Sequence, residues 1–283
     1  MPLVATADLV RAAVAGRTGV PAFNVITLEH AEAIVAGAEQ AGVGVILQIS
    51  QNAVGFHGGR VVPIARAAAA VAETAAVPVS LHLDHVEDVA LLHQAADAGF
   101  SSAMFDAGAL AYQANLAATA SAAAWAHEHG LYLEAELGYV GGKPDAPASA
   151  HAAGVRTDPA EAAEFVAATG VDALAVAVGS SHAMTTRDAR VDSELVGRLA
   201  AAVPVPLVLH GSSGVPDDEL RRAVTAGIAK VNVGTALNIA MTGAVRGVLD
   251  ADETLVDPRK YLAPARDAIA ATVAELSRVI ATR

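Results

Sequence analysis

Apolar residues occur along this chain in short unbroken runs, separated by longer stretches in which they recur every three or four positions. The first pattern marks a strand buried on both faces, and the second a helix with one apolar face. Read this way, the chain predicts strands at 21–25, 45–50, 79–85, 101–106, 131–137, 171–178, 206–209 and 228–233. Helices are predicted at 27–40, 61–75, 87–98, 112–129, 192–202 and 216–226, after 235, and again within 258–283. Gly42, Gly99, Gly130 and Gly227 stand where helix stops belong, and Asp158 with Pro159 and Glu161 reads as a capped helix start. Eight strands, each followed by a helix, fit a (β/α)8 TIM barrel with an extra C-terminal helical segment better than a doubly wound open sheet. A single domain over residues 1–283 is ordinary for that architecture. The rhythm breaks once. Residues 138–157 lack periodicity and hold five glycines or prolines between 141 and 154. Such a long connection in a compact domain reads as a binding loop or lid.

Polar residues sit where the strands end. Leu81-His82-Leu83-Asp84-His85 turns an apolar run abruptly polar. Val178-Gly179-Ser180-Ser181-His182 and Leu209-His210-Gly211-Ser212-Ser213-Gly214 repeat the arrangement. Catalytic groups of a (β/α)8 barrel gather at the C-terminal ends of strands. Three histidines there, His85, His182 and His210, form the nitrogen set of an open catalytic zinc site, with cobalt, manganese or iron as other occupants. Asp84 is the acid/base candidate. By alternation His82 falls off the facing side and reads as a packing or supporting residue. Glu134 and Glu136 share one face of strand five. They read either as binders of a second cation or supports of the histidines, or as half of an internal ion pair. Asp106 ends strand four. Gly211 to Gly214 is a phosphate-cradle candidate, and Asn232-Val233-Gly234-Thr235 ends strand eight at the same corner of the barrel.

Composition narrows the field. Hydrophobic residues make up 54% of 283 and aromatic residues only 4%, so the core is built of small aliphatic side chains. A net charge of −12 argues against nucleic acid, and the short apolar runs against a membrane span. With no cysteine, any metal is held by His, Asp or Glu. The N-terminus carries no signal-peptide pattern, so the expected location is cytoplasmic.

Taken together, the three histidine motifs, Glu134-Ala135-Glu136-Leu137-Gly138 with Gly141-Gly142, Val231-Asn232-Val233-Gly234-Thr235 and the late Asp257-Pro258-Arg259-Lys260-Tyr261-Leu262 resemble one family. It is the class II, metal-dependent ketose-bisphosphate aldolases, which include fructose-bisphosphate and tagatose-bisphosphate aldolases. The resemblance covers nearly the whole chain. It implies one catalytic zinc ion on His85, His182 and His210, with Asp84 moving the proton of the C4 hydroxyl. It implies a phosphate gripped by Gly211, Ser213 and Thr235, with Ser212 and Gly234 in the same segments. Asn232, Asn24 and Ser50 match positions that reach the dihydroxyacetone phosphate half of a phosphorylated sugar. Asp106 and Glu134 match an accessory cation or supporting site. A homodimer or homotetramer is the family habit.

Several positions depart from the pattern. The acid that follows Gly-Gly in the family is displaced by one place, leaving Asp145 to substitute. Ala183 stands where glycine is usual, still offering its N–H, and the lysine soon after it is missing. Asn238 replaces a basic residue that meets the distal phosphate, so Arg187, Arg259 and Arg266 become the candidates for that grip. The alternatives to an aldolase are a non-catalytic partner subunit of an aldolase complex, or another metal-dependent barrel enzyme such as an epimerase or hydrolase. The complete Asp84, His85, His182 and His210 set disfavours the first. The lack of a His-x-His pair on strand one disfavours a hydrolase of the amidohydrolase type.

Overall fold

The computed structural model describes residues 2–138, 140 and 156–282. Eight strands form a closed parallel barrel in sequential order. They are β1 (Val20–Asn24), β2 (Val45–Ser50), β3 (Val79–Val86), β4 (Ser102–Phe105), β5 (Tyr132–Leu137), β6 (Ala173–Val176), β7 (Leu207–Leu209) and β8 (Ile228–Val233). Helices α1 (Thr6–Gly16), α2 (Leu28–Ala41), α3 (Gln51–Phe56), α4 (Val61–Glu73), α5 (Val89–Leu92), α6 (Ala95–Ala98) and α7 (Tyr112–Glu128) belong to the first half. The second half carries α8 (Pro159–Thr169), α9 (Ser193–Ala202), α10 (Asp217–Ala226), α11 (Thr235–Ala251) and the C-terminal α12 (Arg259–Ala281). The fold is the (β/α)8 TIM barrel that the strand–helix alternation predicts. Among the described residues no helix is long and apolar enough to cross a membrane.

The local signals explain the boundaries. The Asp158 carboxylate accepts the N–H groups of Ala160 and Glu161 and so opens α8. Gly42, with φ of 67°, closes α2 in the left-handed conformation. Outward-facing strand residues such as Phe23, Leu47, Leu81 and Leu83 join the helices in the main apolar core.

Three features differ from the sequence reading. The helix predicted at 87–98 is two four-residue pieces, α5 and α6, with His93 at the break stacked on Trp125 at 4.4 Å. The sixth strand stops at Val176 rather than 178. Beyond it the Ala177 N–H goes to Thr157 Oγ1, and the Val178 carbonyl accepts from the Arg156 guanidinium and the Asp192 N–H instead of from a strand. Helices α1 and α3 had no predicted counterpart. The first closes the N-terminal mouth of the barrel, where Val10 and Ala13 pack with Val20, Ala22, Ile46 and Ala229. The second starts where Ser50 Oγ accepts the Ala53 N–H.

Inside the barrel, small apolar groups near the N-terminal mouth give way to polar ones toward the C-terminal ends, among them Gln48, His82, Asp84, Glu134, His210, Lys230 and Asn232. Outside, α2 and α12 lie in close contact at Gly37. A Cβ there would stand 2.4 Å from the Ala270 carbonyl oxygen and 2.7 Å from Val273 Cβ. Gly37→Ala is therefore expected to destabilise by about 1–3 kcal/mol, overpacking outweighing the gain of about 1 kcal/mol in helix propensity. A lowered urea midpoint checks this, and an unchanged or raised one contradicts it.

Candidate metal and substrate site

The site begins with an irregularity in β3. The ladder to β4 pairs Leu83 with Ala103 and then Val86 with Phe105, so Asp84 and His85 together stand opposite Met104. His85 has φ of 47°, a left-handed backbone unusual outside glycine. Such a bulge re-aims side chains beside functional sites. It corrects the alternation argument. His82 and Asp84 share the inner face of the barrel, and His85 reaches the cavity because the extra residue turns it there.

His182 follows β6 and His210 follows β7. Gly211, with φ of 66°, makes the turn after His210, and a Cβ on it would lie 2.5 Å from the Ser181 backbone. Only glycine lets the two loops approach so closely. Ser180 Oγ adds a 2.6 Å hydrogen bond to the His210 carbonyl. The three imidazoles converge, with centroids 5.1 Å (His85–His182), 4.8 Å (His85–His210) and 5.8 Å (His182–His210) apart. Candidate ligand atoms of His85, His182, His210 and Glu136 all lie within 4.8 Å of one another. Three imidazoles and a carboxylate are a donor set suited to zinc.

Glu134 and Asp106, named from the sequence as ligand candidates, stand one step behind this cluster. Asp106 Oδ2 lies 3.1 Å from His85 Nδ1. Glu134 lies 2.8 Å from His210 Nε2 through one oxygen and 2.8 Å from Lys230 Nζ through the other. Glu136 takes the remaining His210 nitrogen at 2.8 Å. The two readings of the glutamate pair are thus divided between them. Glu134 is in an internal ion pair, and Glu136 belongs to the cluster. Burial alone would raise the Glu134 pKa, but the Lys230 charge and the His210 hydrogen bond hold it far below the usual carboxylate range. Burial would depress His210, yet the hydrogen bonds to Glu134 and Glu136 push it up to about 9.

A cavity of about 310 Å³ opens above the cluster. Asn24, Ser50, Asp84, His85, His182 and Ala183 line it on one side, and Gly211, Ser212, Ser213, Asn232, Gly234 and Thr235 on the other. Ser213 Oγ accepts the Ala236 N–H at 3.1 Å, tying the loop after β7 to the first turn of α11. Hydroxyls and N–H groups thus gather at the N-terminus of the 17-residue α11, where the helix dipole favours negative charge. Both side-chain atoms of Asn232 are buried without a hydrogen-bond partner among the described residues. Ala183 adopts φ of 58°, in keeping with the glycine usual at its place. Burial would raise Asp84, but the charges of His85 and Lys230 hold its pKa below the ordinary value, so it is ionised at neutral pH.

Other predicted groups lie elsewhere. Arg259 is on the surface, 88% exposed at its side chain and paired with Asp257. Arg187 is held by the Val215 carbonyl and Asp217, and Arg266 by Glu32. Among the described residues no lysine or arginine lines the cavity, whereas Asn238 does. Asp145 falls outside the described residues. Gln48 was missed by sequence reading. Its amide donates to Asn24 Oδ1 at 2.6 Å and faces Asp84 Oδ2 at 3.4 Å. The signal was its place two residues before Ser50, on the same strand face.

The family model for class-II fructose-bisphosphate aldolase matches residues 4–283. The chain is 37% identical over 274 residues to the fructose-bisphosphate aldolase of Geobacillus stearothermophilus, covering 96% of this chain and 95% of that one. It is 37% identical over 275 residues to the fructose-bisphosphate aldolase of Staphylococcus aureus strain Mu50, with the same coverage. Among solved structures, the YdjI aldolase from Escherichia coli K12 superposes with a TM-score of 0.84 at 31% identity, covering 98% of this chain and 97% of that one.

The buried ion pair makes a stability prediction. Lys230→Met leaves the Glu134 charge without its cation and is expected to cost about 3–5 kcal/mol. Glu134→Gln combined with Lys230→Met is expected to cost less than the sum of the two single changes. Urea unfolding of the four proteins measures the cycle, and simple additivity would contradict the coupling.

Proposed function

This chain belongs to the class-II fructose-bisphosphate aldolase family, and we propose that it reversibly cleaves a ketose phosphate to dihydroxyacetone phosphate and an aldehyde with zinc held by His85, His182 and His210. The observation that carries this reading is the convergence of those rings on one another beneath one cavity, which His85, His182 and an ionised Asp84 line opposite the loops after β7 and β8. A zinc ion bound there supplies Lewis acidity to the substrate carbonyl.

The protein's own groups supply the rest. Ser213, Thr235 and the Gly211 N–H hold the phosphate, with Ser212 and Gly234 shaping the two segments. Asn232, Asn24 and Ser50 take the hydroxyl and carbonyl oxygens of the same half. Asp84 removes the C4 hydroxyl proton as the C3–C4 bond breaks, and the bonding electron pair stays on C3 beside the carbonyl. The C4 oxygen then becomes the aldehyde. Gln48 steadies the Asp84 carboxylate from the cavity side. Asp106 orients His85, and Glu134 with Lys230 behind it orients His210. Asp145 is the carboxylate we assign to the proton exchange at C3. Glu136 sits on the other His210 nitrogen, which zinc would take in its place, leaving this carboxylate as a neighbour of the ion.

For the distal half of the substrate, the neutral wall at Asn238 supports a ketose carrying one phosphate. Chelation should abolish release of dihydroxyacetone phosphate, and added zinc should restore it. Asp84→Ala should lower kcat by about 10²–10⁴-fold while zinc binding persists. Activity retained in metal-free protein would overturn the reading. A ketose 1-phosphate should be cleaved with kcat/KM at least equal to that for the 1,6-bisphosphate. A tenfold or greater preference for the bisphosphate would contradict the neutral distal wall and point to a cation outside it, such as Arg259.

A further inference from the structure

His82 has no part in the chemistry above, although it is fully buried inside the barrel two residues before Asp84 and on the same face. Its Nε2 stands 3.8 Å from Asp84 Oδ1. Neither atom has a hydrogen-bond partner among the described residues. The other ring nitrogen, Nδ1, lies 2.7 Å from Ser102 Oγ. Ser102 directs its single hydroxyl hydrogen to Thr6 Oγ1 at 2.6 Å, with the Leu81 carbonyl a longer acceptor at 3.5 Å, and Thr6 Oγ1 donates in turn to Ser80 Oγ at 3.0 Å, with Ser101 Oγ also beside it at 3.1 Å. A serine hydroxyl has one hydrogen to give. With that hydrogen directed to Thr6, Ser102 meets His82 as an acceptor, so Nδ1 carries the ring proton and Nε2 carries a lone pair. Burial, with Lys230 adding its charge, pushes His82 down to about 3, so the ring is neutral at pH 7.

We propose that His82 is a positioning residue for Asp84, kept by the Thr6–Ser102 hydroxyl chain in the tautomer that withholds a hydrogen bond from the Asp84 carboxylate. This rests on Asp84 being the acid/base of the proposed function. A donor at Oδ1 would stabilise the ionised carboxylate and weaken it as a base. The lone pair on Nε2 does the opposite. It stands 3.8 Å from the carboxylate and gives it no proton. In the cleavage step one proton leaves the C4 oxygen and arrives on Asp84, while His82 gains none. In the condensation direction the same proton returns to the aldehyde oxygen. Helix α1, at the opposite mouth of the barrel from the cavity, thereby bears on the reaction through Thr6.

The test reads the tautomer directly. Full-length, zinc-loaded protein labelled with ¹⁵N-histidine is examined by NMR, the His82 signals being assigned by their loss in His82→Gln. The expected result is a neutral ring protonated at Nδ1 and bare at Nε2. Ser102→Ala removes the acceptor and is expected to shift the ring toward the Nε2–H form. It should lower kcat about tenfold and leave KM within about twofold. Ser102→Thr keeps the hydroxyl and should restore both tautomer and kcat. Thr6→Val breaks the chain one link earlier, outside the strands, and should act in the same direction as Ser102→Ala. Zinc content and melting temperature, measured on each variant, separate this effect from a loss of folded protein. An Nε2–H ring in the wild-type protein would overturn the proposal, as would a tautomer shift with kcat unchanged. A wild-type protein that cleaves no ketose phosphate would instead contradict the functional reading, and the tautomer is read independently of it.

Discussion

His210 is held by a carboxylate at each ring nitrogen, and both carboxylates come from β5. Much of the site depends on this clamp. A buried imidazole with two carboxylate partners has one orientation. A buried carboxylate pair in turn needs a cation nearby, and Lys230 of β8 supplies it to Glu134. The clamp therefore links β5, β7 and β8 across the inside of the barrel, and it fixes one corner of the triangle that His85 and His182 complete.

The rest of the barrel makes such a polar interior tolerable. Apolar residues on the outward faces of the strands pack against the helices and form the main core. The inner face is then released from the need to be apolar throughout. Near the N-terminal mouth Val10 and Ala13 of α1 pack on Val20, Ala22, Ile46 and Ala229, beside the linked hydroxyls of Thr6, Ser80 and Ser102. Toward the other mouth many inward positions carry a hydrogen-bonding group, among them Gln48, Asp84, Glu134, Glu136 and Asn232. A bulge at Asp84 and His85 turns a carboxylate and an imidazole from adjacent positions of one strand into the same cavity, which regular alternation forbids.

Much of this was legible in the sequence. Glycine stops and apolar runs placed all eight strands. A histidine at the end of an apolar run marked each ring of the cluster, and the small residues after β7 and β8 marked one wall of the cavity. What remained hidden has physical reasons. Alternation assumes one residue per ladder position, so it misplaced His82 relative to His85. Glu134 and Glu136 face the same way, and only their distances to Lys230 and to the histidines tell the ion pair from the cluster member. Gln48 sits inside an apolar strand and looks like a mere interruption of it. Arg259 belongs to a family motif, yet its side chain points to solvent and pairs with Asp257. Helix α1 buries only Thr6, Val10 and Ala13, too few positions to announce a helix that closes a barrel.

The most direct test of the central claim is the zinc K-edge X-ray absorption spectrum of the zinc-loaded protein. It counts the imidazole rings on the metal through their multiple scattering and gives the mean ligand distance. The account predicts three imidazoles, with nitrogen at about 2.0–2.1 Å, and loss of one ring in His182→Ala. A zinc site with one imidazole or none, or one unchanged by that substitution, would contradict it.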